Sequence, residues 1–196
     1  MTAPPATPKE TLQIMAKQRP TKAVAVDLER CLACKSCELA CAKAHAGFED
    51  IVEAILSGAR LVPRVHAMAA AGRCVPIQCQ HCEDAPCVSV CPSGALYQDE
   101  ETGTVGTAPE KCIGCKSCVL VCPFGAVAWD PQSGTVIKCD LCRDIIEEGE
   151  EPACVVACPT RARRVVELID VTLQRRKEAA ERTVRLYQTA QKETDE

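Results

Sequence analysis

Apolar residues in this chain fall mostly in short runs. Residues 23–27, 75–77, 127–129, 135–138 and 164–168 are β-prone stretches of three to five residues, bounded by Gly, Pro or charged residues, as small hairpin strands are. Two segments are helical in period. Phe48, Ile51, Val52, Ile55 and Leu56 recur at i, i+3, i+4, i+7 and i+8, which predicts an amphipathic helix over 48–58 ended by Gly58. It reads as cover for a neighbouring unit or as a docking face for a partner. A longer helix is expected from about residue 168 to 191, with Ile169, Leu173, Ala180, Val184 and Tyr187 on one stripe and Arg175, Arg176, Lys177, Arg182 and Arg185 around it. Its stripe reads as a contact with the body of the protein, with a partner, or with a second copy. Residues 1–22 carry Pro4, Pro5, Pro8 and Pro20 and read as a flexible tail, in which Met15 is a second possible translation start. No run of eighteen apolar residues occurs, so no membrane span is expected.

Composition changes this picture sharply. Seventeen of the 196 residues are cysteine, a density typical of scaffolds built by covalent or metal bonds. The five aromatics are too few to lead a core of this length. The net charge of −4 argues against nucleic acid as a partner. Charge is uneven: residues 161–185 hold eight Lys/Arg against four Asp/Glu. With no export signal visible, a cytoplasmic protein with reduced thiols is expected rather than a disulfide framework.

Spacing then narrows the metal. Cys31, Cys34, Cys37 and Cys41 form C-x2-C-x2-C-x3-C, and Cys112, Cys115, Cys118 and Cys122 repeat it. Cys79, Cys82, Cys87 and Cys91 form C-x2-C-x4-C-x3-C, while Cys139, Cys142, Cys154 and Cys158 form C-x2-C-x11-C-x3-C. Only Cys74 stands outside, read as a small buried residue, a spare ligand or a redox thiol. Zinc also takes four thiolates, but usually between two separated C-x2-C knuckles. Three cysteines on one tight loop suit three corners of an iron–sulfur cube, and in two-cluster ferredoxins the fourth cysteine ligates the other cluster. Three quartets end in Cys-Pro (Cys91-Pro92, Cys122-Pro123, Cys158-Pro159), and the first departs from this with Ala42. Iron–sulfur is the favoured reading, ahead of zinc and disulfides.

On these motifs the chain resembles the four-cluster, ferredoxin-like electron-transfer subunits of anaerobic oxidoreductases. That family includes the iron–sulfur subunits of molybdenum and tungsten enzymes of the dimethyl-sulfoxide-reductase type and the ferredoxin-like partner of nickel carbon-monoxide dehydrogenase. The likeness covers roughly residues 23–168, through segments such as VPIQCQHCEDAPCVSVCPSGAL and KCDLCRDIIEEGEEPACVVACPTRA. It implies four [4Fe–4S] clusters with exchanged fourth ligands. Cys31, Cys34 and Cys37 would share one with Cys158, and Cys139, Cys142 and Cys154 one with Cys41. Cys79, Cys82 and Cys87 would pair with Cys122, and Cys112, Cys115 and Cys118 with Cys91. The implied fold is α+β and loop-rich, with two ferredoxin-like modules built on short antiparallel hairpins. An outer module (23–72 and 131–168) would hold an inserted inner one (73–130), followed by a C-terminal helix and tail (169–196).

Other chemistry is absent from the motifs. There is no G-x-G-x-x-G, no G-x-x-x-x-G-K-[ST] and no C-x-x-C-H, so no flavin, nicotinamide or haem is expected. His45, His66 and His81 stand in no partnered arrangement, and no acid–base pair or nucleophile is apparent. Lys35, Lys116, Lys138 and Arg143 adjoin cysteines and read either as charges that raise a cluster's potential or as solvated surface groups. The expected function is therefore electron transfer without catalysis by this chain alone. Its partner would be a large catalytic subunit with a molybdenum, tungsten or nickel centre, docked through Ile169, Leu173, Val184 and Tyr187. A free, diffusing polyferredoxin and a self-associating conductor are the alternatives.

Overall fold

Four separate two-stranded antiparallel ladders carry the β structure in the computed structural model, which describes residues 22–194. The first strand, β1 (Lys22–Val26), pairs with the last, β8 (Arg163–Glu167), with Val24 opposite Val165. Between them lie three local hairpins: β2 (Val65–Ala70) with β3 (Arg73–Gln78), β4 (Leu96–Gln98) with β5 (Val105–Thr107), and β6 (Val127–Asp130) with β7 (Thr135–Lys138). Ala71 and Gly72, both at positive φ (49° and 75°), close the first hairpin as a tight two-residue turn should. At the third, the Asp130 carboxylate accepts from the amides of Gln132 and Ser133 and from the Ser133 hydroxyl. Arg60 closes on the same carboxylate at 2.6 Å.

Six short helices punctuate the ladders: α1 (Ser36–His45), α2 (Ile51–Leu56), α3 (Pro86–Ser89), α4 (Ser117–Val121), α5 (Arg143–Glu147) and α6 (Ala153–Val156). Four of them carry the third cysteine of a quartet in their first turn. These are Cys37, Cys87, Cys118 and Cys154, all buried. Cysteine thus does the packing that large apolar residues do elsewhere.

Two core clusters result. One joins Ala85, Cys87, Leu96, Val105, Cys118, Val127 and Val136. The other joins Cys37, Cys41, Val65, Cys154 and Val155, with Val24 and Val165 packed against it. The first draws only on the middle of the chain and the second on its two ends. The 72/73 and 130/131 boundaries each fall within a hairpin, so β2–β3 and β6–β7 straddle them. Val136, on the far side of the second boundary, packs in the middle cluster.

Both helical segments differ from a buried reading. In α2 only Ala54 is buried, while Val52, Ile55 and Leu56 are exposed. The Asp50 carboxylate caps its N-terminus by accepting from the Val52 and Glu53 amides. The apolar stripe of residues 48–58 therefore covers little among the described residues. The C-terminal helix α7 (Leu168–Thr194) has Ile169 and Leu173 half-buried at its start, but every residue from Gln174 to Arg185 is exposed, Val184 included. Over this length it is not packed back on the body. The side chain of Tyr187 lies outside the described residues, as does the tail before Lys22. No helix in the described part is long and apolar enough to cross a membrane.

Candidate metal centres

The cysteines gather in four sets of four. Cys31, Cys34, Cys37 and Cys158 line one hollow, and Cys91, Cys112, Cys115 and Cys118 line another. Cys139 and Cys142 each lie within electrostatic reach of Cys154 and Cys41. Cys82 and Cys87 stand in the same relation to Cys79 and Cys122. Each set combines three cysteines of one quartet with the fourth of another. Cys74, half-buried in β3, lies beside Cys31.

The backbone around each set follows one pattern. The residue two after the first cysteine has positive φ in every quartet: Ala33 (58°), His81 (47°), Gly114 (69°) and Leu141 (64°). After the second cysteine, Lys35 (61°) and Lys116 (63°) are also left-handed, and in the last quartet Cys142 itself is (48°). After each Cys-Pro-x the next residue is left-handed again: Gly94, Gly125 and Arg161. Alternating right- and left-handed residues aim successive N–H groups at one point, making a concavity for an anion. Several N–H groups already reach sulfur: Arg64 to Cys41 (3.3 Å), Leu96 to Cys91 (3.5 Å), Ala126 to Cys122 (3.4 Å) and Leu141 to Cys139 (3.4 Å).

Electrostatics divides the thiols. Burial pushes Cys139 and Cys142 up to about 12 and raises Cys37, Cys82, Cys87, Cys118 and Cys154 as well. At the surface the direction reverses: Ser36 lowers Cys34, and Ser117 lowers Cys115. For Cys91 and Cys158, burial is outweighed by N–H donors, led by the amides of Leu96 and Arg163. Thiols held neutral by burial lose their protons only against a cation, as ligation of a metal requires. Buried donors point the same way. Among the described residues, Arg163 Nε and Nη1 and His81 Nε2 are buried without a hydrogen-bond partner. Clustered cysteines, inward N–H groups and unspent buried donors fit anionic iron–sulfur clusters.

Some of these groups were not apparent from spacing. Lys138 is no surface charge: it is buried, and its ammonium donates to the carbonyls of Val105 and Cys139. His81 is also buried and accepts the Val105 amide at Nδ1 (3.0 Å). Burial and the charge of Lys138 push it down to about 4. His45, contrary to the expectation, does have partners: its Nδ1 meets the Cys41 carbonyl at 2.8 Å and its Nε2 the Asp140 carboxylate at 3.3 Å. Burial would lower it, but Asp140 and Cys41 raise it to about 10. Arg64 closes on the same Asp140. Ninety-five residues separate His45 from Asp140, and the only local hint is that Cys41 and His45 lie four apart on one helix.

Residues 70–168 match the 4Fe-4S dicluster domain, and residues 28–44 match a 4Fe-4S binding domain. This chain belongs to the 4Fe–4S dicluster family. It is an iron–sulfur electron-transfer protein of ferredoxin-like kind, similar to subunits of oxidoreductases. An iron-sulfur protein of Rhodospirillum rubrum is 41% identical over 152 residues, 71% of this chain and 79% of that one. The thiosulfate reductase electron transfer subunit PhsB of Salmonella typhi is 37% identical over 156 residues, 76% and 77%. The electron transport protein HydN of Escherichia coli K12 is 35% identical over 154 residues, 71% and 84%. This member of the dicluster family thus shares most of its length with proteins named for electron transport.

Proposed function

We propose that this chain carries four [4Fe–4S] clusters and relays single electrons to or from the large catalytic subunit of an anaerobic oxidoreductase with a molybdenum, tungsten or nickel centre. The carrying observation is the gathering of sixteen cysteines into four sets of four, each wrapped in left-handed backbone. Cys31, Cys34, Cys37 and Cys158 hold the first cluster, and Cys41, Cys139, Cys142 and Cys154 the second. Cys79, Cys82, Cys87 and Cys122 hold the third, and Cys91, Cys112, Cys115 and Cys118 the fourth. When bound, the clusters supply one-electron chemistry. The chain's own residues hold them as thiolates, donate N–H bonds to sulfur, and exclude water with Val24, Val65, Leu96, Val105 and Val127.

On this reading the first two sets form an outer ferredoxin-like module and the last two an inner one inserted in it. The pairing of β1 with β8 around everything else supports that nesting, and so does the division into two core clusters. The molecule works in the cytoplasm, where thiols stay reduced. Helix α7, exposed from Gln174 to Arg185 and rich in arginine, serves to hold the catalytic subunit. This exposure favours an attached subunit over a free carrier.

Anaerobic purification from the native cells tests both halves. The expected result is about sixteen iron and sixteen sulfide per chain, with a large molybdenum, tungsten or nickel protein co-eluting. A solitary iron-loaded chain would overturn the partner. Zinc in place of iron would overturn the clusters.

A further inference from the structure

The three Cys-Pro quartets continue in the same way. After Cys91, Cys122 and Cys158 the chain runs Pro-x-x-Ala, then enters a strand: β4 at Leu96, β6 at Val127 and β8 at Arg163. The alanines (Ala95, Ala126, Ala162) are buried in all three, and so is the residue after them, at 2%, 3% and 2% exposure. The fold therefore asks for an apolar core residue at this position and receives one twice. The third time it buries a guanidinium.

That guanidinium is under-satisfied by protein. Its Nη2 donates to Gln78 Oε1 and lies 3.5 Å from Cys154 Sγ. Nε and Nη1 are buried with no partner among the described residues. A buried, unpaired charge is among the costliest features a core can carry, so its retention implies a counter-charge. The side chain borders the hollow lined by Cys31, Cys34, Cys37 and Cys158, while its Nη2 touches a cysteine of the adjoining set. Both Cys37 and Cys154 feel its positive charge. Val127 and Leu96, at the matching places in the middle of the chain, offer no charge and no donor.

We infer that Arg163 is a potential-setting residue: its free N–H groups bond to sulfur between the first and second clusters and hold these two at higher potential than they would otherwise have. Reduction adds one negative charge to a cluster, and a buried cation nearby stabilises that form more than the oxidised one. An electron therefore rests more readily on this pair than it would without Arg163. This rests on the ligand sets proposed above.

The test is a redox titration of the full iron-loaded chain, followed by electron paramagnetic resonance, comparing wild type with Arg163→Gln and Arg163→Lys. In Arg163→Gln, two of the four midpoint potentials are expected to fall by a tenfold or larger change in the reduced-to-oxidised ratio, about 59 mV for a one-electron couple, while the other two stay in place. Arg163→Lys restores part of the shift. Full iron content with all four potentials unmoved would overturn the inference. If Arg163→Gln fails to assemble, pulsed resonance on wild-type chain labelled with arginine that carries 15N only in its guanidinium group decides: coupling of a guanidinium nitrogen to a reduced cluster supports the inference, and its absence overturns it. A wild-type chain with fewer than four clusters would instead refute the ligand sets, a separate failure visible in the iron and sulfide count.

Discussion

The loops at 31–37 and 112–118 share their spacing and their backbone, yet they rest on different supports. In each, the residue before the second cysteine and the lysine after it are left-handed, and the second cysteine is exposed. In the later loop Gly114 takes the first of these positions, and a Cβ there would meet a ring carbon of Trp129 at 2.9 Å. Lys116 sits over the same indole, 4.6 Å from its centroid. In the earlier loop Ala33 takes the left-handed position, exposed to solvent. The two loops thus keep one backbone, while their surroundings decide which side chain can bear it. One loop is wedged against a ring and requires glycine; the other is open and tolerates the strain of alanine.

The largest expected effect comes from removing that difference. Gly114→Ala should destabilise the loaded protein by about 3 kcal/mol, combining left-handed strain with overpacking against the indole. Anaerobic thermal melts followed by cluster absorbance would show it, and an unchanged melt would mean the ring is not a wedge. Next, Trp129→Ala should cost about 2 kcal/mol through lost packing. In that background Gly114→Ala should cost only its backbone strain, so the two changes should be non-additive. Ala33→Gly should work in the opposite sense, stabilising by up to about 1 kcal/mol as strain is relieved, less whatever the unfolded chain gains in freedom. Smallest is the cation: Lys116→Ala should cost about 0.5–1 kcal/mol through its indole contact, and Lys35→Ala should be nearly silent. Equal effects at the two lysines would show that the Lys116–Trp129 contact contributes nothing.

Much of this was legible because the chain repeats itself. Cysteine spacing, the Cys-Pro endings and five of the eight strands could be read directly. Strands β4 and β5 have three residues each, too few for an alternating pattern to emerge. Strand β2 is VHAMAA, alanine-rich and weak in intrinsic strand preference; its pairing with β3 supplies what its composition lacks. Of the four left-handed positions that follow the first cysteine of each quartet, only Gly114 carries glycine as a mark; Ala33, His81 and Leu141 do not. Residues 48–58 show the opposite failure: the period predicted a helix, and α2 forms, but period says nothing of what its apolar side will meet. Arg163 was legible in principle, as the one charge in a thrice-repeated apolar place, but only once the three strands had been aligned on their preceding alanines.

Electron relay by this chain depends first on the number and kind of its clusters. Native mass spectrometry of the intact chain, prepared without oxygen, weighs them directly. The expected mass exceeds the polypeptide by four units of four irons and four sulfides, lost one unit at a time as Cys158, Cys41, Cys122 and Cys91 are each replaced by alanine. A holoprotein carrying only two such units, or zinc ions in their place, would contradict it.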